Sequence, residues 1–152
     1  MDQMLREVYE QTILDHNRHP RFYPEHPEPC THHAHGFNPI CGDEFDIHLE
    51  MHEGVIAHVG FEGAGCSIST AMCSLMLERV QGCTAEEAQQ LFEMMHHLLT
   101  HHALPEKIPN EVGKLRVMLG VREHPTRIKC ATLGWHILHA ALVGDRATIC
   151  TE

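Results

Sequence analysis

Three cysteines and one aspartate are the residues of this sequence best suited to chemistry. Cys41 and Asp43 form a Cys-Gly-Asp triplet, Cys66 follows a glycine-rich stretch, and Cys130 lies much further along the chain. Three thiolates and a carboxylate suit a tetrahedral zinc ion or an iron–sulfur unit, and the sequence offers no other grouping with as many ligands of matched type. The sequence therefore predicts that its chemistry is concentrated at these four side chains.

Length, composition and cysteine usage predict a single intracellular domain. The chain has 152 residues, of which 43% are apolar, so it can bury a core without disulfides. Seven cysteines are an odd number, the N-terminal residues do not resemble an export signal, and no apolar run is long enough to span a bilayer. We expect a cytoplasmic protein with reduced thiols.

The charge balance argues against nucleic acid as a partner. The chain has 11 Lys and Arg against 21 Asp and Glu, a formal net charge of −10. Proteins that bind a phosphate backbone need clustered cations to displace its counterions. The 16 histidines make the surface charge sensitive to mildly acidic pH. Neither a nucleic-acid partner nor a membrane partner is expected.

Alternating apolar residues predict a β-hairpin close to the first ligand pair. Every second residue is apolar over 45–51 and again over 55–61, on either side of a Glu-Gly turn. Cys41 and Asp43 share the odd-numbered phase of the buried face, so both would point to the same side if the extended conformation begins at Cys41. The preceding residues, 18–40, hold five prolines and a run of histidines, and we expect an irregular surface loop there.

Helical periodicity accounts for most of the remaining chain. It predicts a helix over about 3–17, one after Cys66, one that opens with a capping box at Thr84, a shorter helix ending at Gly120, and a final helix starting at Pro125. Strands that come early and helices that follow are typical of an α+β fold. We predict a small antiparallel sheet of about three strands packed against several helices.

The positions of the cysteines in these elements favour thiolates. Cys66 lies at a helix start and Cys130 within roughly two turns of one, where unpaired N–H groups and the helix dipole stabilise negative charge. Arg127 and Lys129 flank Cys130 and could complement the −2 charge of three thiolates and a carboxylate around a divalent ion. The alternative is that they are two surface cations on a solvated turn.

Several short motifs resemble the U-type iron–sulfur assembly proteins, the family of IscU and SufU. They are Cys41-Gly-Asp43 after Asn38-Pro39, Gly63-x-Gly65-Cys66-x-Ile68-Ser69, Lys129-Cys130-Ala131 near Trp135, and Tyr9-x-x-x-Ile13-x-Asp15-His16 with Pro20-Arg21. The resemblance extends from about residue 5 to 142. It is closer to SufU, because Lys129 stands where IscU-type proteins have a histidine and because the helical segment around 82–104 resembles the SufU insertion.

The resemblance implies one NifU-N-type domain over 1–152 whose metal ligands are Cys41, Asp43, Cys66 and Cys130. The ion would be zinc, with an iron–sulfur cluster on the same ligands as the alternative. Cys41 would accept persulfide sulfur from a SufS-like cysteine desulfurase for use by downstream iron–sulfur assembly proteins. The alternative function is a scaffold on which a 2Fe–2S or 4Fe–4S cluster is assembled and passed on. Whether the protein is an enzyme depends on whether sulfur transfer that needs a desulfurase counts as turnover.

Two other classes of zinc protein remain open. A zinc hydrolase needs an open coordination position for water, and four protein ligands leave none. A purely structural zinc domain usually takes its ligands from local Cys-x-x-Cys pairs, whereas the ligands here come from separate segments.

The four remaining cysteines follow no ligand spacing and are interpreted as core or incidental thiols; they are Cys30, Cys73, Cys83 and Cys150.

Overall fold

A four-stranded sheet with helices packed against one face forms the framework of the protein. The computed structural model describes residues 3–144 and 149–151. In chain order the elements are α1 (Gln3–Arg18), β1 (His32–Asn38), β2 (Asp43–His52), β3 (Val55–Ala64), α2 (Ser67–Val80), α3 (Ala85–Thr100), a 3-10 segment (Asn110–Glu123), α4 (Pro125–Val143) and β4 (Ile149–Cys150). The α+β prediction is confirmed.

The sheet has the strand order β3-β2-β1-β4. The strand β2 is antiparallel to both β3 and β1, and the two-residue β4 runs parallel to β1. Phe45, Ile47 and Leu49 of β2 are buried on the face covered by α2 and α4, where Trp135 is also fully buried. The predicted hairpin is therefore present, and the predicted three strands gain a short fourth one.

The expectation that residues 18–40 are irregular throughout is wrong for 32–38, which form β1. The buried residues of β1 are Ala34, Gly36 and Asn38, all small or polar, and the residues that alternate with them, His33, His35 and Phe37, are not buried. An apolar alternation is absent from this stretch because the core needs little volume there. Residues 19–31 contain no regular helix or strand, as expected.

Other boundaries differ from the sequence prediction in detail. The apolar alternation predicts that Val55 and Ala57 face the core. A bulge between Glu50 and Met51 shifts the register of the hairpin, and Ile56 between them is fully buried instead. The capping box predicted at Thr84 is present at the start of α3. The helix predicted before Gly120 is a 3-10 segment that is kinked at Gly113, whose φ of 54° is non-helical. Among the described helices, none combines the length and the apolar character that crossing a membrane requires.

Candidate metal centre

The four predicted ligand residues converge where β2, α2 and α4 meet. Cys41 lies in the turn between β1 and β2, and Asp43 is the first residue of β2. Cys66 caps α2, and Cys130 lies in the second turn of α4. The ligand atoms of Cys41, Asp43 and Cys130 all lie within 4.8 Å of one another. The Sγ atoms of Cys41 and Cys130 are 2.9 Å apart.

Cys66 contacts the same carboxylate from the other side. Its backbone N–H donates to Oδ1 of Asp43 at 2.7 Å, and its Sγ lies 3.8 Å from Oδ2. It does not belong to the group whose atoms all lie within 4.8 Å, so it stands at the edge of the cluster. As the N-cap of α2, its sulfur accepts the N–H of Ser69 at 3.5 Å. This position at a helix N-terminus stabilises a thiolate.

The glycines before Cys66 leave room for this packing. A Cβ on Gly65 would lie 2.6 Å from Oγ of Ser69 and 2.8 Å from Oδ1 of Asp43. Gly63 has a φ of 125°, and a Cβ there would lie 2.1 Å from the carbonyl oxygen of Glu44. Only glycine allows the chain to approach the backbone of β2 at position 63 and the Asp43 carboxylate at position 65 so closely.

The turn that carries Cys41 is held by Asn38, whose buried Oδ1 accepts the N–H of Ile40 at 3.1 Å. Gly42 is left-handed, with a φ of 74°, so the extended conformation begins at Asp43. The condition under which Cys41 and Asp43 would share one strand phase is therefore not met, because the chain turns between them, although their ligand atoms still lie close together. Cys41 is half-buried, and its neighbour Ile40 is 74% exposed. Cys41 thus lies at the outer side of the centre.

The electrostatics of the cluster favour a cation. Burial raises the pKa of the Cys130 thiol, and Cys41, Cys66 and Asp43 raise it further. The three thiols and the carboxyl group therefore do not all ionise together unless a cation binds among them. Thiolates and a carboxylate at these separations are the donors that zinc prefers, so the residues present fit such an ion.

Arg127 is the cation that the structure brings to the centre. Its hydrogen bond to Cys130 and the nearby charges of Cys66 and Cys130 raise the pKa of its guanidinium. Lys129 has an exposed side chain, and its carbonyl oxygen accepts hydrogen bonds from Oγ1 of Thr132 at 3.3 Å and of Thr151 at 3.4 Å.

The structure brings together a second group of potential ligands that the sequence does not predict. The ligand atoms of His26, His48 and Glu62 also lie within 4.8 Å of one another. The three residues are far apart in sequence, and only the strand pairing and the path of the loop before β1 reveal their proximity. The available signal was the run of titratable residues at the even-numbered positions of β2, which mark one face of the strand.

Comparison with known sequences identifies the family. The NifU-like N-terminal domain profile matches residues 8–147. The chain belongs to the NifU-like N-terminal domain family.

Relatives and solved structures in this family are similar over most of their length. The iron–sulfur cluster assembly scaffold protein IscU of Thermotoga maritima is 35% identical over 138 residues, which cover 89% of this chain and 92% of the relative. The zinc-dependent sulfurtransferase SufU of Bacillus subtilis is 31% identical, with 91% of each chain covered.

A crystal structure of a candidate iron–sulfur assembly scaffold for the SUF system of Fervidobacterium islandicum superposes with a TM-score of 0.80. It is 29% identical, with 90% of this chain and 98% of that chain covered. The NifU-like N-terminal protein of Brucella abortus, at 20% identity and a TM-score of 0.79, has the same fold, with 94% and 97% covered. The resemblance found in the sequence motifs is thus confirmed at the level of the family.

Proposed function

We propose that this protein is a zinc-dependent sulfur acceptor for iron–sulfur cluster assembly and that Cys41 receives the sulfur from a cysteine desulfurase. The observation that carries the proposal is the position of Cys41, which belongs to the cluster of close ligand atoms and yet lies half-buried in a turn at its outer side. A sulfur nucleophile needs both properties, because it must be deprotonated and must meet its partner. The similarity to a protein named a zinc-dependent sulfurtransferase supports this choice.

The ion would be held by Cys41, Asp43, Cys66 and Cys130. When bound, zinc keeps cysteine ligands deprotonated at neutral pH and takes no part in redox chemistry. Among these cysteines, Cys130 is fully buried and cannot meet a partner protein, whereas Cys41 and Cys66 are both half-buried. The sulfur of Cys66 is engaged as the N-cap of α2, whereas Cys41 lies in a turn beside the exposed Ile40. The assignment of Cys41 as acceptor follows from this difference.

The transfer itself is a thiol–disulfide type of exchange. The thiolate of Cys41 attacks the outer sulfur of the desulfurase persulfide and forms a new sulfur–sulfur bond. The bond between the two sulfur atoms of the original persulfide breaks, and the desulfurase cysteine leaves as a thiolate. Arg127, held near the thiols, would stabilise anionic sulfur during the exchange, and Lys129 would add positive charge close by. The exposed Ile40 beside Cys41 offers an apolar contact to the desulfurase.

A second candidate function is a scaffold on which an iron–sulfur cluster is built on the same ligands and passed to downstream assembly proteins. Relatives named as IscU scaffold proteins support it. In that case the cluster is the cargo of the protein. Under either function we propose that 1–152 act as one domain in the cytoplasm, without nucleic acid, in keeping with the net charge of −10.

Sulfur transfer and metal analysis together test this proposal. The protein, purified without a histidine tag, is analysed for metal and incubated with a cysteine desulfurase and ³⁵S-cysteine. We expect about one zinc at the cysteine centre and labelled persulfide that is lost in Cys41→Ala. The matched control is Cys150→Ser, which removes an exposed cysteine outside the centre and should retain the label.

Three outcomes would contradict the proposal that zinc-bound Cys41 accepts sulfur. Full labelling of Cys41→Ala excludes Cys41 as the acceptor. An iron–sulfur chromophore on the purified chain supports the scaffold function. If removal of zinc unfolds the protein and no thiol of the wild type is labelled, the site is structural only.

A further inference from the structure

We propose that His26, His48 and Glu62 form a second metal site, separate from the cysteine centre, that binds a divalent transition-metal ion such as Zn²⁺. These residues lie on the face of the sheet opposite to the helices. Two imidazoles and one carboxylate form a known ligand set for zinc sites that keep a fourth position open for water or another ligand.

The three ligand atoms lie within 4.8 Å of one another, and both histidines contact the same carboxylate oxygen. Nε2 of His26 lies 2.8 Å from Oε1 of Glu62, and Nε2 of His48 lies 3.2 Å from the same oxygen. Zinc–ligand bonds of about 2.0–2.1 Å place tetrahedral ligands roughly 3.3 Å apart. Small side-chain movements would therefore admit the ion.

His48 is fixed more tightly than a surface histidine. It lies in the middle of β2 and is only 5% exposed. The ring of His33 stacks on it, with centroids 4.7 Å apart, and its Nδ1 lies 3.9 Å from Sγ of Cys30. These contacts hold the ring so that Nε2 points towards Glu62. Such support around a ligating histidine is typical of metal sites.

The sheet register and the loop before β1 deliver the other two ligands. His48 pairs with Gly60 on β3, so Glu62 is its diagonal neighbour on the same face. The loop is attached to β3 by the N–H of Phe61, which donates to the carbonyl oxygen of Phe22 at 3.0 Å.

The absence of a side chain at Gly60 allows the loop to lie on the sheet. A Cβ on Gly60 would lie 2.1 Å from the carbonyl oxygen of Glu25, the residue before His26. The approach of His26 to Glu62 therefore depends on a glycine at position 60.

The proposed site is independent of the cysteine centre. Asp43 and His48 have opposite parity on β2, so they face opposite sides of the sheet, and five residues correspond to about 17 Å along a strand. Loss of one site should therefore leave the other intact, and failure of this proposal does not affect the sulfur-acceptor proposal.

Cobalt(II) titration of the full chain separates the two sites. Cobalt bound by thiolates gives strong charge-transfer absorption in the near ultraviolet, whereas cobalt bound by imidazole and carboxylate gives only weak visible bands. We expect two equivalents of Co²⁺ per chain, the second without added charge-transfer absorption. Equilibrium dialysis with Zn²⁺ should likewise give two ions per chain.

Variants of the ligands should remove one ion only. We expect Glu62→Gln, His26→Gln and His48→Gln each to weaken the second ion by at least about tenfold and to leave the charge-transfer absorption unchanged. Since His48 is buried, the variants of the more exposed His26 and Glu62 keep the test valid if His48→Gln fails to fold. His58→Gln is the matched control, because His58 pairs with Glu50 at 2.6 Å across the same strands and belongs to no three-ligand group among the described residues.

A backbone variant provides a separate check. Gly60→Ala should weaken the second ion because it pushes the loop, and His26 with it, away from Glu62. Gly120→Ala is its control, since a Cβ there meets nothing within 4 Å. A second ion that survives Glu62→Gln and His26→Gln, or a wild-type protein that binds metal only at its thiols, would overturn the proposal.

Discussion

His16 should make the folded protein sensitive to acid. Its side chain is fully buried, and its Nδ1 lies 2.7 Å from Oγ of Ser74, which also accepts the N–H of Arg21 at 2.9 Å. Within the described residues its Nε2 has no hydrogen-bond partner. Burial lowers the pKa of His16 to about 4, and the charges of Arg21 and Lys114 add to the effect. The native state therefore holds this imidazole neutral.

The sign and size of the effect follow from proton linkage. Between pH 6.5 and about 4 the unfolded chain binds a proton at His16 that the folded chain does not, so stability falls as the pH falls through this window. From about pH 7 to about pH 5 the loss amounts to about 2 kcal/mol, or roughly a 20-fold change in the folding equilibrium. That is a substantial part of the stability of a domain of this size.

The assay is urea unfolding at both pH values, followed by the fluorescence of Trp135, the single tryptophan. The variant His16→Gln cannot titrate in this range. It should be less stable than the wild type at neutral pH, because a buried contact is altered, but it should lose about 2 kcal/mol less on acidification. Titrating groups common to both proteins cancel in this difference.

The control is His19→Gln, whose side chain is 79% exposed in the wild type and which should behave like the wild type on acidification. Equal losses of stability on acidification in His16→Gln and wild type would refute the reasoning. The acid sensitivity would then originate in other groups, and the burial of His16 would have no energetic consequence of this kind.

Three further substitutions test the metal centre and the core separately. Gly65→Ala should weaken zinc binding by about tenfold or more, measured by chelator competition, because the new methyl group displaces Asp43; unchanged affinity would contradict the crowding argument. Thr84→Ala removes the cap of α3 and should cost about 1 kcal/mol in urea unfolding without changing zinc affinity, and a loss near zero would mean that the capping box contributes little. Trp135→Ala should cost about 3–5 kcal/mol, measured by circular dichroism, since the side chain is fully buried; a loss below about 1 kcal/mol would show that the core collapses around the gap.

The sequence predicted those parts of the structure whose signals are local. The alternation on either side of the hairpin turn has bulky residues such as Phe45 and Phe61, so its buried face was evident. The buried residues of β1 are only Ala34, Gly36 and Asn38, and pairing with β2 rather than hydrophobicity holds the strand in the sheet. Such a strand has no apolar pattern to detect.

The candidate sites show the same division. The cysteines could be predicted from their residue type, which is rare and suited to metals, even though the extended conformation begins only after Cys41. The group of His26, His48 and Glu62 could not be predicted, because it depends on the diagonal pairing of two strands and on a loop that packs over Gly60. Contacts between distant segments follow from tertiary packing, which local patterns do not encode.

The strand β2 links the two sites to the same core. Burial of Phe45, Ile47 and Leu49 determines the parity of the strand, and this parity places Asp43 on one face and His48 on the other. A slip of one residue would exchange the faces, moving three large apolar side chains into water and bringing charged and polar ones inside. The positions of Asp43 and His48 are therefore determined by hydrophobic burial, which holds both side chains in place whether or not an ion binds.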